Sequence, residues 1–299
     1  PIGIQDFEDL QRNGYAYVDK TNFVYKLADE GKYYFLSRPR RFGKSLFLST
    51  LEAYFQGKKE LFEGLAIYDL ETEWKKYPIF HIDLNTANFR EKDSLYTVLN
   101  DYLTTWESKY GTRESEATLA LRFKGVIARA AEKEGCGVVI LIDEYDKPIL
   151  QTLRAPELQA EHRAQLKAFY SVLKTHDRYI KFAFLTGVTK FGKVSVFSDL
   201  NNLTDISMDH RYISICGMTE KELLTNFKEG IGELASANED NETETIDKLR
   251  MRYSGYHFEE NSEEIYNPFS VLNTLANSRY DDYWFKADTH TFLIDILKK

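Results

Sequence analysis

Alternating apolar runs and amphipathic stretches predict an α/β fold: a mostly parallel sheet with helices on both faces. Three observations carry that expectation. Gly137-Val-Val-Ile-Leu-Ile142 is continuously apolar, as a strand buried on both faces should be. Four more short runs, Tyr33–Leu36, Pro78–Leu84, Ile180–Thr186 and Arg211–Cys216, read as strands, most of them set apart by helix-length segments. The polar stretches able to hold a ligand fall at the C-terminal ends of these runs, where parallel sheets place their sites.

In chain order, Pro1–Asp19 carries the apolar anchors Ile4, Phe7, Leu10, Tyr15 and Tyr17. Asp19 or Thr21 suits the cap of a helix that Gly31 ends. The strand Tyr33–Leu36 leads to Arg38–Ser45 and then to the helical Leu46–Phe55. Gly57–Trp74 reads as turns and short helices. In the strand Pro78–Leu84, His81 reads as a satisfied core or edge histidine and Asp83 as a cap. Leu95, Val98, Leu99, Tyr102 and Leu103, then Leu119, Leu121, Phe123, Val126, Ile127 and Ala130, have helical spacing over Glu91–Tyr110 and Glu114–Glu134. Beyond Gly137–Ile142, Pro148 suits the first turn of a short helix, and Pro156–Thr175 reads as one long helix. After Arg211–Cys216, Thr219-x-x-Glu222 is a capping box. Further helices, two short extended pieces near Tyr256–Phe258 and Glu264–Tyr266, and an Asn267-Pro268 cap follow. A domain boundary near Gly217 would divide a core, 1–216, from a small lid or winged-helix-like module, 217–299.

The chemistry gathers at two strand ends. Strand, tight turn and helix with Gly43-Lys44-Ser45 at the helix start is the layout of a phosphate-binding loop, as in P-loop NTPases. A helix N-terminus offers unpaired N–H groups and partial positive charge to a polyphosphate. Gly43 lets the backbone approach, Lys44 would reach the terminal phosphates, and the Ser45 hydroxyl would hold magnesium. Arg38 stands where the usual pattern has glycine, and Pro39 stiffens the turn, so a basic surface turn is the competing reading. Asp143 and Glu144 close the apolar strand. Asp143 would hold the magnesium shell and Glu144 would polarise the attacking water; otherwise the pair merely caps the strand. Thr186, with Thr189 second, is the candidate for positioning that water. Asp146 would pair with Arg40 or Arg41 or sit in its turn. Lys190, Lys193 and Arg211 are equal candidates for neutralising transition-state charge.

Tyr17-Val-Asp-Lys-Thr21, Leu36-Ser-Arg-Pro-Arg-Arg-Phe-Gly-Lys-Ser-Leu46, Leu141-Ile-Asp-Glu-Tyr-Asp-Lys-Pro148, Leu185-Thr-Gly-Val-Thr-Lys-Phe191 and Tyr266-Asn-Pro-Phe-Ser-Val-Leu272 give the chain a nearly full-length resemblance to the bacterial and archaeal AAA-type ATPase-like proteins. In that family arginine at the first loop position is usual. The resemblance implies ATP as the nucleotide, with Arg38, Pro39, Arg40, Arg41, Phe42, Gly43, Lys44 and Ser45 around it. It also makes Ile4 and Phe7 adenine-pocket candidates, against a plain role as core anchors. Family members commonly continue into a restriction-endonuclease-like nuclease domain; this chain runs to Lys299 without one, and no nuclease activity is carried over.

Composition narrows the partners. A net charge of −8 argues against a broadly basic nucleic-acid surface, although a DNA-binding C-terminal module stays a weak alternative. Cys136 and Cys216 lack metal-ligand spacing and suit a reducing compartment, the cytoplasm. No apolar stretch is long enough to span a membrane. The leading expectation is an ATP-binding, magnesium-dependent phosphohydrolase. Its rival is an ATP-dependent switch with little turnover that acts on a protein partner or by self-association.

Overall fold

A computed structural model describes residues 3–189, 202–259 and 262–283. The described elements are α1 (Phe7–Arg12), α2 (Thr21–Glu30), β1 (Tyr33–Ser37), α3 (Lys44–Phe55), α4 (Ala66–Leu70), β2 (Ile79–Asp83), α5 (Ser94–Tyr110), α6 (Leu119–Glu134), β3 (Val138–Asp143), α7 (Lys147–Gln151), α8 (Pro156–Tyr170), α9 (Val172–Thr175), β4 (Ile180–Gly187), β5 (Thr204–Asp205), α10 (Glu220–Asn226), α11 (Lys228–Ala237), α12 (Glu242–Tyr253) and α13 (Pro268–Asn277). By its contacts the chain divides into two compact units, one of Pro1–Phe23, Pro39–Thr50 and Ser207–Lys299, the other of Val24–Arg38 and Leu51–Ile206.

The second unit holds the sheet. Its five described strands run β2-β3-β4-β1-β5, every pair parallel, as the apolar runs predict. Every residue of β1 and β3 is buried. Such strands need helices on both faces, because parallel neighbours are joined by crossovers that lie over the sheet. The apolar faces of α5 and α6 pack with the strands in one cluster that includes Phe80, Leu99, Phe123, Ile140 and Phe169. Phe123 and Phe169 stack with centroids 4.2 Å apart. Gly135 ends α6 in the left-handed conformation and lets the chain turn into β3. The parallel register brings the exits of β1, β3 and β4 to one edge: Ser37 pairs with Gly187, Leu36 with Thr186, and Asp83 with Asp143.

In the first unit, α10 to α13 surround Met218, Leu223, Leu234, Leu249, Tyr253 and Leu275. The Thr219–Glu222 capping box forms as expected, and Asn267 caps α13 by accepting from the Ser270 N–H. The two extended pieces are reduced to isolated antiparallel bridges, Tyr256 with Ile265 and Met218 with Tyr266.

Two expectations need correction. Arg211–Cys216 is not a strand. Asp209 accepts from the Arg211 N–H and winds His210–Tyr212 into a 3-10 turn, so Ile213, Ile215 and Cys216 are buried outside the described strands. The fifth strand is Thr204–Asp205, two exposed residues on the far side of β1. Pro156–Thr175 is two helices, because the chain breaks at Ser171. Lys190 and Lys193 lie outside the described residues.

Candidate functional site

β1 delivers the chain to Arg38, whose N–H donates to the Gly187 carbonyl at 3.1 Å. The Arg38 side chain is buried, and its guanidinium donates to the Ser37 carbonyl. The loop then takes two left-handed residues in quick succession, Arg41 at φ 68° and Gly43 at φ 90°. A Cβ at Gly43 would meet nothing within 4 Å, so glycine is needed there for its backbone angle and not for space. The residue between them, Phe42, is buried. Helix α3 opens at Lys44, and the Phe47 N–H donates to the Gly43 carbonyl. Lys44 is also buried and folds back along the loop, with Nζ 3.3 Å from the Pro39 carbonyl. Ser45 follows in the first turn, half-buried.

At the exit of β3, Asp143 and Glu144 are both buried. Thr186 Oγ1 donates to Asp143 Oδ1 and accepts from the Glu144 N–H at 3.3 Å. The Tyr145 N–H donates to the Thr186 carbonyl at 2.9 Å. Glu144 sits at φ 54°, an uncommon angle for a non-glycine residue and one worth noting at a candidate site. The structure thus brings three expected residues, Asp143, Glu144 and Thr186, to adjoining strand ends, with β1's exit one strand away.

Asp146 is fully buried and takes the turn role of the two open to it. Its carboxylate accepts from the Val188 N–H, the Thr189 N–H at 2.7 Å and Thr189 Oγ1 at 2.5 Å. Burial, then the charge of Glu144, pushes its pKa up to about 6 against the donors that hold it. Thr189 is therefore engaged with Asp146, and Arg211 with Asp209 at 2.7 Å. Asp83 caps the turn after β2, and His81 Nδ1 lies 2.6 Å from Glu52. Burial pulls the His81 pKa down, but the bond to Glu52 and its charge outweigh that and leave it raised.

A family model described as predicted AAA-ATPase matches residues 1–197, a span that takes in the loop, the paired acids and Thr186. The chain belongs to the AAA-ATPase-like family. A relative from Azotobacter chroococcum mcd 1, an uncharacterized protein in the vnfD 5' region, is 41% identical over 298 residues, which is 99% of this chain and 55% of the relative. The chain therefore spans about half the length of that relative. No solved structure matches.

Within its first unit, the AAA-ATPase-like chain has an apolar cavity of about 200 Å³ beside Gly43. Ile4, Val18, Phe42, Leu46 and Gly217 line it, together with Lys20. The Lys20 ammonium is paired with Glu222 at 2.5 Å; burial lowers its pKa against that partner. Ile4 thus reaches the cavity. Phe7 does not line it: its N–H donates to Ser49 Oγ and its ring packs edge-on against Tyr17. Sequence reasoning missed Val18, Lys20 and Gly217 here. The usable signal for Lys20 was a lysine beside the Asp19–Thr21 cap, which says nothing of its partner two hundred residues away.

Proposed function

We propose that this AAA-ATPase-like chain binds ATP with magnesium and hydrolyses it. The observation that carries the reading is the shared sheet edge: the exit of β1 at Ser37–Arg38 lies one strand from the buried Asp143–Glu144 pair held by Thr186. The loop serves as Walker A and the acids as Walker B. Backbone N–H groups of the loop and of the first turn of α3 hold the phosphates, and Lys44 neutralises the β and γ groups. Arg38, Pro39, Arg40, Arg41 and Phe42 shape that cradle. Ser45 and Asp143 offer hard oxygen donors of the kind magnesium selects. No described group of three His, Cys, Asp or Glu residues stands ready for a metal, so the ion would draw the rest of its shell from phosphate and water. Bound there, magnesium would neutralise charge on the phosphates. Glu144 orients the attacking water and takes its proton, and Thr186 fixes both acids against β4. The cavity beside Gly43 receives the base.

A core over 1–216 carries the chemistry and 217–299 acts as a lid-like module; α10 to α13 share an apolar cluster, while by contacts Pro1–Phe23 and Pro39–Thr50 group with Ser207–Lys299. The partner is a protein or a second copy of the chain; the net charge of −8 disfavours DNA. No described helix is long and apolar enough to cross a membrane. A cytoplasmic location suits the cysteines, which form no disulfide with each other.

Phosphate release from Mg·ATP by wild type and Glu144→Gln tests the proposal. Turnover should fall about 10²- to 10⁴-fold while ATP binding persists. Equal release by both removes Glu144 from its role. Binding with no release by wild type favours the rival reading, a nucleotide-dependent switch.

A further inference from the structure

We infer that Phe42 is a positioning residue for the nucleotide, held by an aromatic socket of Tyr256 and Phe258 that sets how tightly the loop binds. The inference rests on the nucleotide-binding reading of the loop.

Arg41 and Gly43 are both left-handed, so the loop turns sharply on either side of Phe42. Such angles persist in a non-glycine residue only where the surroundings over-determine them. Here the surroundings come from residues far along the chain. The Phe42 ring stands edge-on to Tyr256, with centroids 4.7 Å apart, and to Phe258 at 5.7 Å. Its carbonyl accepts from the Gly217 N–H at 3.0 Å. The guanidinium of Arg41 lies over the Phe269 ring, 4.5 Å from its centroid. Two consecutive loop residues are thus anchored by a ring pair, a backbone hydrogen bond and a cation–π contact.

The socket is itself braced. The Ile265 N–H donates to the Tyr256 carbonyl at 3.1 Å, and Met218 and Tyr266 exchange backbone bonds beside it. Gly217 permits the approach. A Cβ there would stand 2.3 Å from Ile265 Cγ2 and 3.2 Å from the Phe42 ring.

A surface basic loop would have no need to bury a phenylalanine between two left-handed residues. A loop that must hold its N–H groups in one concave arrangement for a polyanion does. The contacts supply that rigidity from residues outside the loop, Gly217, Tyr256, Phe258 and Phe269. Mere core packing makes a different forecast: loss of the rings would lower stability and leave the affinity of the folded protein unchanged.

The test uses the full chain with Tyr256→Ala/Phe258→Ala, Phe258→Ala alone and Tyr256→Phe. Three quantities are read: the Kd for Mg·ATP, kcat at saturating ATP, and the melting temperature without nucleotide. The double variant should bind about 100-fold more weakly, with kcat changed far less, as expected for a misplaced cradle. Tyr256→Phe, which keeps the ring, should restore wild-type affinity. Should the double variant fail to fold, Phe258→Ala is read in its place and should show a smaller loss of the same kind. A lowered melting temperature with Kd within twofold of wild type overturns the inference alone. A wild-type chain that binds no nucleotide overturns both this inference and the reading beneath it.

Discussion

The acid-bearing strand ends and the Arg38–Ser45 loop are held by different physics. At the acids the described side-chain bonds are polar and run to β4 and the residues just past it: Thr186 to Asp143 and Glu144, and Asp146 to Val188 and Thr189. In the loop, past the Arg38 N–H bond to Gly187, the described ties of Arg41 and Phe42 are a backbone bond from Gly217 and aromatic packing onto residues of the C-terminal third. Hydrogen bonds fix direction, which suits groups that must aim at a proton. Ring packing fixes shape with little directional demand, which suits a cradle of backbone N–H groups. If that contrast is real, damage to the loop's anchor should act through nucleotide affinity, and damage at the acids through turnover.

The largest effect is expected at Gly217. Gly217→Ala forces a left-handed alanine and drives a methyl into Ile265 and the Phe42 ring. The two penalties together should cost about 2–4 kcal/mol of unfolding free energy. Urea unfolding reads the cost, and an ATP titration of the folded fraction should show weakened binding. Near wild-type stability would mean that the anchor yields easily, and the contrast would lose its loop half.

At the acids, Thr186→Val keeps the shape and removes the hydroxyl that bridges Asp143 and the Glu144 N–H. Leaving buried polar groups unmatched should cost about 1–3 kcal/mol. Turnover should fall while ATP affinity holds, and Thr186→Ser should recover most of both. A change in Kd with kcat intact would reverse the assignment of roles between the two regions.

How much of this was legible in the sequence follows the same division. The loop, the paired acids and Thr186 showed because each sits at the end of an apolar run, and such runs announce buried parallel strands. Four of the five strands lie where the apolar runs place them. The fifth does not, because Thr204–Asp205 is too short and exposed to carry a pattern, whereas Tyr212, Ile213 and Ile215 imitate one while wrapped in a turn. The Phe42 socket was illegible for another reason. Nothing in the spacing of an aromatic residue says which distant ring it will meet. The Thr219–Glu222 capping box and the Asn267 cap were readable, since their partners lie three residues away. Asp146 lies between these cases: its place in the turn was foreseeable, but its partners at 188 and 189 depend on β3 and β4 being neighbours.

The smallest effect expected, and the one that most sharpens the contrast, concerns Asp146 and pH. Its carboxyl is shifted up to about 6 from an ordinary 3.8, mainly by burial and then by the charge of Glu144. The folded state therefore holds this proton more tightly than the unfolded chain does. Between about pH 4 and 6 the native state binds more protons, so this group's contribution to stability falls as pH rises through that window. Above it the folded chain carries a buried carboxylate, tolerated because the Val188 and Thr189 donors satisfy it. Asp146→Asn keeps one acceptor oxygen and removes the titration. Urea midpoints measured from pH 4 to 7 should decline less steeply for the variant than for wild type. The variant should also close part of the gap at pH 7, where the buried charge is fully present in wild type. Parallel curves would mean that Asp146 stays ionised across the range, and that the donors from β4's exit outweigh burial. The acid end would then be held even more firmly by polar contacts, and the difference from the loop would widen.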